Sequence, residues 1–89
     1  MMSKHIPGVA RGIETVTGTA IVDTGMKVLE SCVVSLAQAP NATESLVGWA
    51  EVPPQTPGGN VKITLYVFAV DGTTPGASAA KVAWLAEGR

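Results

Sequence analysis

Several residue types on which small proteins often depend are scarce in this sequence. Among 89 residues there is one cysteine, Cys32, and one histidine, His5. A disulfide within the chain is therefore excluded, and no Cys/His cluster exists to build a zinc site. The carboxylates are also scattered along the chain rather than clustered. This composition predicts no metal and no cofactor, and it favours a protein that is not an enzyme.

Charge is scarce as well. Only 15% of the residues are charged, and the net charge is −1. The six basic residues are dispersed among seven acids, so no basic stripe is available for a phosphate backbone and we expect no nucleic-acid partner. No apolar run approaches the roughly 18 residues that span a bilayer, so no membrane partner is expected. The opening residues "MMSKHIPGVARG" lack the apolar segment of a secretory signal, which predicts synthesis in a reducing cytoplasm.

Apolar residues, by contrast, are plentiful. They make up 46% of the chain, which is too many for a disordered protein. A single domain of this length buries only part of its surface and is marginal on its own without disulfides or metals. We therefore expect the chain to complete its burial against copies of itself or against another protein.

The apolar runs are rich in β-branched residues and are separated by glycine and proline, which is typical of short strands. We predict an all-β protein, a small antiparallel β-sandwich or barrel over residues 13–89. Pro7 and Gly8 interrupt regular structure near the start, so residues 1–12 are predicted to form an extended N-terminal arm. The five predicted strands cover residues 13–23, 27–39, 44–52, 61–70 and 80–88.

The clearest alternation lies in "VKITLYVFAV", residues 61–70. One face is wholly aliphatic and is predicted to be core. The other face begins polar and ends with Tyr66 and Phe68, which suits contact with a neighbouring subunit. On the last strand, Val82, Trp84 and Ala86 share one side.

The strand 27–39 is less regular. Val28, Cys32, Val34 and Leu36 are predicted to share a core face, which Glu30 interrupts. Glu30 could pair with Lys27 or Lys62, contact another subunit, or lie at a strand end exposed to water. Cys32 is interpreted as a small core residue rather than a nucleophile.

The triplet Asp23-Thr24-Gly25 matches the catalytic triplet of aspartic proteases, which act through two carboxylates sharing a proton. Met26 follows where retroviral proteases have Ala or Ser, and the only Gly-Arg pair ends the sequence. The alternative is an ordinary turn, since Asp and Gly are common turn residues. We interpret the triplet as a hairpin corner.

One further motif and the two tryptophans have plain structural explanations. Asn41-Ala42-Thr43 fits the N-glycosylation pattern but, without a secretory signal, is predicted to be a loop. Trp49 and Trp84 could stack on a sugar ring, although we favour core or interface anchors.

Four stretches together carry a family resemblance. "VTGTAIVDTGMKVLESCVVSLAQAP", "SLVGWAEV", "VKITLYVF" and "AAKVAWLAEG" resemble small β-sandwich structural proteins of tailed bacteriophages. The ending "VAWLAEG" is also similar to the last strand of H-type lectin domains, which are trimeric antiparallel sandwiches. The chain lacks the polar and aromatic residues that hold a sugar in the intersubunit groove of those lectins.

The resemblance implies a virion structural protein, in particular a capsid decoration (cement) protein on the capsid surface. Such a protein would form a homotrimer and bind the major capsid protein, with the arm adding a strand to an edge of its partner. The implied alternatives are a glycan-binding module of a phage fibre or spike and a head–tail or tail component. The expected capsid contacts are Lys4, Ile6, Val9 and Arg11, and the expected subunit-interface residues are Trp49, Tyr66 and Phe68.

Overall fold

A computed structural model describes residues 8–89, and within this range the secondary structure is entirely β. The strands form two three-stranded antiparallel sheets that pack together, with orders β1-β6-β3 (sheet 1) and β2-β5-β4 (sheet 2). The predicted all-β sandwich is therefore confirmed. The strands are β1 (Val9–Val16), β2 (Thr19–Met26), β3 (Leu29–Leu36), β4 (Leu46–Val52), β5 (Val61–Phe68) and β6 (Ala80–Gly88).

The first predicted strand, residues 13–23, is in fact divided between the two sheets. Gly18 has a φ of +76°, a left-handed conformation that glycine adopts without steric cost. The amide of Thr19 donates to the carbonyl of Thr17 at 2.9 Å, and the chain passes from sheet 1 to sheet 2. The apolar alternation continues on both sides of Gly18, which is why the sequence pattern alone suggested one strand.

The core lies between the sheets and is built mainly from the two central strands. On β5, Val61, Ile63, Leu65 and Val67 are at most 1% exposed, and each such side chain contributes roughly 1.5–3 kcal/mol on burial. Val82, Trp84 and Ala86 of β6 face them. The predicted core face of β5 is confirmed, and the side that Val82, Trp84 and Ala86 share on β6 is also core.

A β-bulge explains the irregular pattern of the strand predicted at 27–39. The pairing of β3 with β6 shifts register between Leu29 and Ser31, so Glu30 is the extra residue and is exposed. Leu29, rather than Val28, consequently packs against the core beside Cys32. Of the alternatives for Glu30, exposure to water near a strand end agrees with the structure, and its carboxylate lies 3.4 Å from the guanidinium of Arg89 rather than beside Lys27 or Lys62.

Cys32 packs against the core as predicted, and burial raises the pKa of its thiol. A raised pKa reduces the thiolate fraction at neutral pH and with it the reactivity of the side chain.

The start of the domain lies earlier than the predicted limit at residue 13. Strand β1 begins at Val9, and residues 9–12 of the predicted arm pair with residues 84–87 of β6. The carbonyl of Gly8 also accepts the amide of Gly88 at 2.7 Å. The remainder of the predicted arm, residues 1–7, lies outside the described residues.

Candidate functional site

The outer surface of sheet 2 carries a cluster of half-buried aromatic and exposed aliphatic side chains, which we call the aromatic face. The rings of Tyr66 and Phe68 are stacked with centroids 5.9 Å apart and planes 7° apart. Leu46, which is 46% exposed, lies directly across from Phe68 on β4. Ile21, at 66% exposed, lies on the same face of β2, across from Thr64. Such a surface is suited to packing against another protein.

Trp49 does not belong to the aromatic face. It pairs with Leu65, so its side chain lies on the inward side of edge strand β4, and it is 36% exposed. The structure thus brings together two of the three expected interface residues, Tyr66 and Phe68, and places the third on the other side of the sheet.

Trp84 is a core residue. It is 7% exposed, and its indole lies against Gly12, where an added Cβ would come within 3.0 Å of the ring nitrogen. Its ring is therefore not available to stack on a sugar.

The outer surface of sheet 1 contains an open groove of about 550 Å³, which we call the groove face. Its side chains form two rows across the three strands. Two of these side chains, Ile13 and Val33, are 64% and 63% exposed. This surface was not predicted from the sequence, although apolar residues on both faces of the same strand were a signal for it. The rows are Ile13–Ala83–Ser35 and Arg11–Leu85–Val33.

The expected capsid contacts divide between described and undescribed residues. Val9, at 40% exposed, and Arg11 lie on the outer surface of β1, the second of them in the groove face. Lys4 and Ile6 lie outside the described residues. The side chains of Val9 and Arg11 therefore belong to a formed sheet rather than to an arm.

The Asp23-Thr24-Gly25 triplet forms a β-bulge inside β2, so the predicted hairpin corner is wrong. The Thr24 hydroxyl donates to the carbonyl of Val61 at 2.7 Å, and the Gly25 amide donates to the Asp23 carboxylate at 2.8 Å. Gly25 has a φ of +75°, as the bulge requires. The chain turns only afterwards, between Met26 and Leu29. The Asp23 carboxylate is exposed, and by accepting the Gly25 amide it stabilises this bulge.

All four sheet edges carry features that oppose pairing with another strand. β2 and β3 contain the two bulges. On β1, Glu14 lies opposite Val82, and on β4, Glu51 lies opposite Ile63. Both of these acids are on the inward side of an edge strand, where pairing with an added strand would bury their charge. The outer faces, rather than the edges, are therefore the better surfaces for association.

Glu44 is a buried carboxylate, 3% exposed, in the loop before β4. It accepts the amides of Ala77 and Ser78, at 3.0 and 3.1 Å, from the loop before β6. The Thr43 hydroxyl and these two amides lower the pKa of the Glu44 carboxyl. Asn41 caps the same loop by accepting the amides of Thr43 and Glu44, so the predicted loop at 41–43 is confirmed. Glu44 acts as a link between the two sheets.

Within residues 8–89, no group of three or more His, Cys, Asp and Glu side chains is arranged to hold a metal ion. Nor does this part of the chain contain a helix long and apolar enough to cross a membrane.

The fold and these surfaces define a small antiparallel β-sandwich with apolar outer faces. No protein-family model matches the sequence, and searches of curated proteins and of solved structures give no match either.

Proposed function

We propose that this chain is a virion structural protein of a tailed phage, a capsid decoration protein that works on the capsid surface. In this proposal it forms a homotrimer, binds the major capsid protein and performs no catalysis of its own. The resemblance of its strand sequences to such proteins is one support. The other is the aromatic face, where the exposed side chains of Leu46 and Ile21 lie beside the stacked, half-buried rings of Tyr66 and Phe68.

The aromatic face is the observation that carries the proposal of self-association. Apolar surface of this kind on a small domain marks a contact with another protein. The edge strands are protected, so face-to-face packing is the available route. We assign the trimer contact to Tyr66 and Phe68, with Leu46 beside them.

The test of self-association is the mass of the purified protein in solution. The wild type should run at three times the protomer mass of 9.1 kDa, and Phe68→Ser should shift it to a lower mass while the β-rich circular dichroism spectrum persists. Val70→Ser is the matched control, because Val70 is 68% exposed and lies beyond the end of β5. A trimer that survives Phe68→Ser and Tyr66→Ser would contradict the assignment.

Capsid binding is tested separately, with shells of the phage that encodes the protein. Strand β1 begins at Val9, so the truncation should remove residues 1–7 only and leave β1 intact. This variant should remain folded and fail to decorate shells. Full occupancy by the truncated protein would show that residues 1–7, including Lys4 and Ile6, are not the capsid contacts.

A glycan-binding module is the second candidate, and the partial exposure of Trp49 favours it. In that case Trp49→Ala should abolish binding on a glycan array and leave stability nearly unchanged. An array without a bound glycan would remove this candidate.

A further inference from the structure

The charges on the groove face are complementary to those of a second, antiparallel copy of the same face. Along the outer side of the central strand β6 lie Lys81, Ala83, Leu85 and Glu87, in that order. A cation stands at one end and an anion at the other, and between them a small residue is followed by a large one. Strands in a sheet place successive residues of one face at about 7 Å intervals.

This pattern defines how two copies could stack. Consider a two-fold axis that lies between the facing groove faces of two copies and runs perpendicular to the strands. Rotation about this axis makes the two β6 strands antiparallel. Lys81 then faces Glu87 of the second copy, and Leu85 lies over the small side chain of Ala83. Because the contact is symmetric, each of these pairings occurs twice. Turning the copy about an axis along the strands instead places Lys81 against Lys81 and Glu87 against Glu87, which is unfavourable.

We propose that a second copy of this chain docks on the groove face, with its β6 antiparallel to β6 of the first. Stacked sheets pack about 10 Å apart with nearly aligned strands, which this arrangement allows. The flanking strands fit as well. Val33 lies over Ser35, and the aliphatic stem of Arg11 lies over Ile13, so each large side chain meets a smaller or apolar one.

The charged groups at the ends of β6 are available for this contact. Lys81 and Glu87 are both exposed, and neither has an ion-pair partner within residues 8–89. One oxygen of Glu87 accepts the hydroxyl of Ser31 at 3.0 Å, which holds the carboxylate over the sheet. The apolar centre formed by Ile13, Val33 and Leu85 supplies the burial, and the charges set the orientation.

The size of the surface sets the expected strength. Three strands of about eight residues cover an area of roughly 25 by 14 Å, which is at the small end for a specific protein contact. We therefore expect a concentration-dependent dimer that weakens as salt is added. The groove face and the aromatic face lie on opposite sides of the sandwich, so this contact does not depend on the proposed trimer.

The test introduces charge-reversing substitutions into the Phe68→Ser variant. This variant lacks the proposed trimer contact, so the measured mass reports only on the groove-face dimer. Sedimentation of this protein should show a monomer–dimer equilibrium between 9.1 kDa and twice that mass. Lys81→Glu or Glu87→Lys alone should weaken dimerisation by about tenfold or more, because attraction becomes repulsion at both ends. The double variant should dimerise as the parent does.

Mixing gives the sharpest outcome. Equal amounts of the Lys81→Glu and Glu87→Lys proteins should form a mixed dimer, since both cross-copy pairs are then opposite in charge. Thermal unfolding of each variant serves as the folding control, and Leu85→Asp should abolish the dimer whatever the charges. The proposal is overturned if the parent stays monomeric, if the single variants dimerise like the parent, or if mixing restores nothing. A failure here would leave the aromatic face and its trimer test unaffected.

Discussion

The two ends of the sandwich are held together in different ways. At one end, which we call the clamp end, the buried Glu44 carboxylate joins the loop before β4 in sheet 2 to the loop before β6 in sheet 1. At the other, the glycine end, the backbones of Gly8, Gly88 and Val28 approach closely within sheet 1. The clamp end is therefore fixed across the two sheets by a side chain, and the glycine end is fixed within one sheet by backbone contact.

This difference bears on where a partner can bind. At the glycine end, the exposed Lys27 in the connection between β2 and β3 contacts the loop before β5. Its ammonium donates to the carbonyl of Gly58 and the side chain of Asn60 at 2.6 and 2.8 Å. Exposed contacts of this kind are readily exchanged for others. The chain also enters the sandwich at this end, at Gly8. A capsid contact made by the preceding residues would thus leave the buried clamp undisturbed.

The largest expected effect is that of Gly88→Ala at the glycine end. A Cβ at this position would fall on the carbonyl oxygen of Val28, and neither backbone can move without breaking the pairing of β6 with its neighbours. We expect a loss of about 2 kcal/mol or more in the free energy of unfolding, the cost of overpacking a rigid site. Urea unfolding measures it.

Gly48→Ala is the matched control for this change. An added Cβ at Gly48 meets nothing within 4 Å, so the variant should be as stable as the wild type or slightly more stable. If Gly88→Ala is equally harmless, backbone contact does not hold the glycine end.

A smaller effect is expected from Glu44→Gln at the clamp end. The substitution keeps the shape of the side chain but removes the charge that strengthens its bonds to the Ala77 and Ser78 amides. At neutral pH we expect Tm to fall by a few degrees. Glu51→Gln, on an exposed acid of the neighbouring strand, is the control and should leave Tm unchanged.

The pH dependence gives this prediction a second readout. The pKa of Glu44 is lowered in the folded protein from its usual value of 4.5, so its contribution is fully present above that value. It is lost as pH falls through the lower, folded pKa. The difference in Tm between wild type and Glu44→Gln should therefore shrink below about pH 4.5. A difference that is constant with pH would show that the charge of Glu44 does not fasten the clamp end.

Asp71 belongs to the same end and reinforces this acid sensitivity. The Thr74 hydroxyl and the Thr74 and Thr73 amides lower the pKa of its carboxyl from 3.8 to about 2. The contribution of Asp71 is thus present above pH 3.8 and is lost as pH falls toward 2. Acid should therefore weaken the clamp end, where both of these carboxyls with lowered pKa values lie.

The sequence predicts the centre of each sheet better than its connections. β5 alternates without interruption, and burial on one side follows directly from that period. Gly18 and the Asp23-Thr24-Gly25 bulge were harder to place, because a crossing between sheets and a bulge use the same residue types as a turn. Glu30 marked an irregularity correctly, but its partner, Arg89, lies just beyond the end of β6 and is distant in sequence. Contacts of that kind depend on register, which a single sequence does not specify.

The same dependence on register explains why the candidate interface residues were predicted only in part. Tyr66 and Phe68 lie two residues apart on one strand, so the sequence alone places them on one face. Trp49 comes from another strand, and its face depends on which residue of β5 it pairs with. The groove face requires three strands, β1, β6 and β3, to be neighbours, and β1 belongs to this sheet because the chain crosses to sheet 2 at Gly18.

The smallest expected effect is that of Glu30→Ala, and it tests whether charge contributes to the glycine end at all. The ion pair of Glu30 with Arg89 is 3.4 Å long, and the two side chains are 55% and 75% exposed. Exposed pairs contribute about 0–1 kcal/mol, since water and salt screen them. A double-mutant cycle with Arg89→Ala isolates the coupling, and it should fall further at high salt. A coupling as large as the loss from Gly88→Ala would mean that charge, rather than close backbone contact, holds this end of the sandwich.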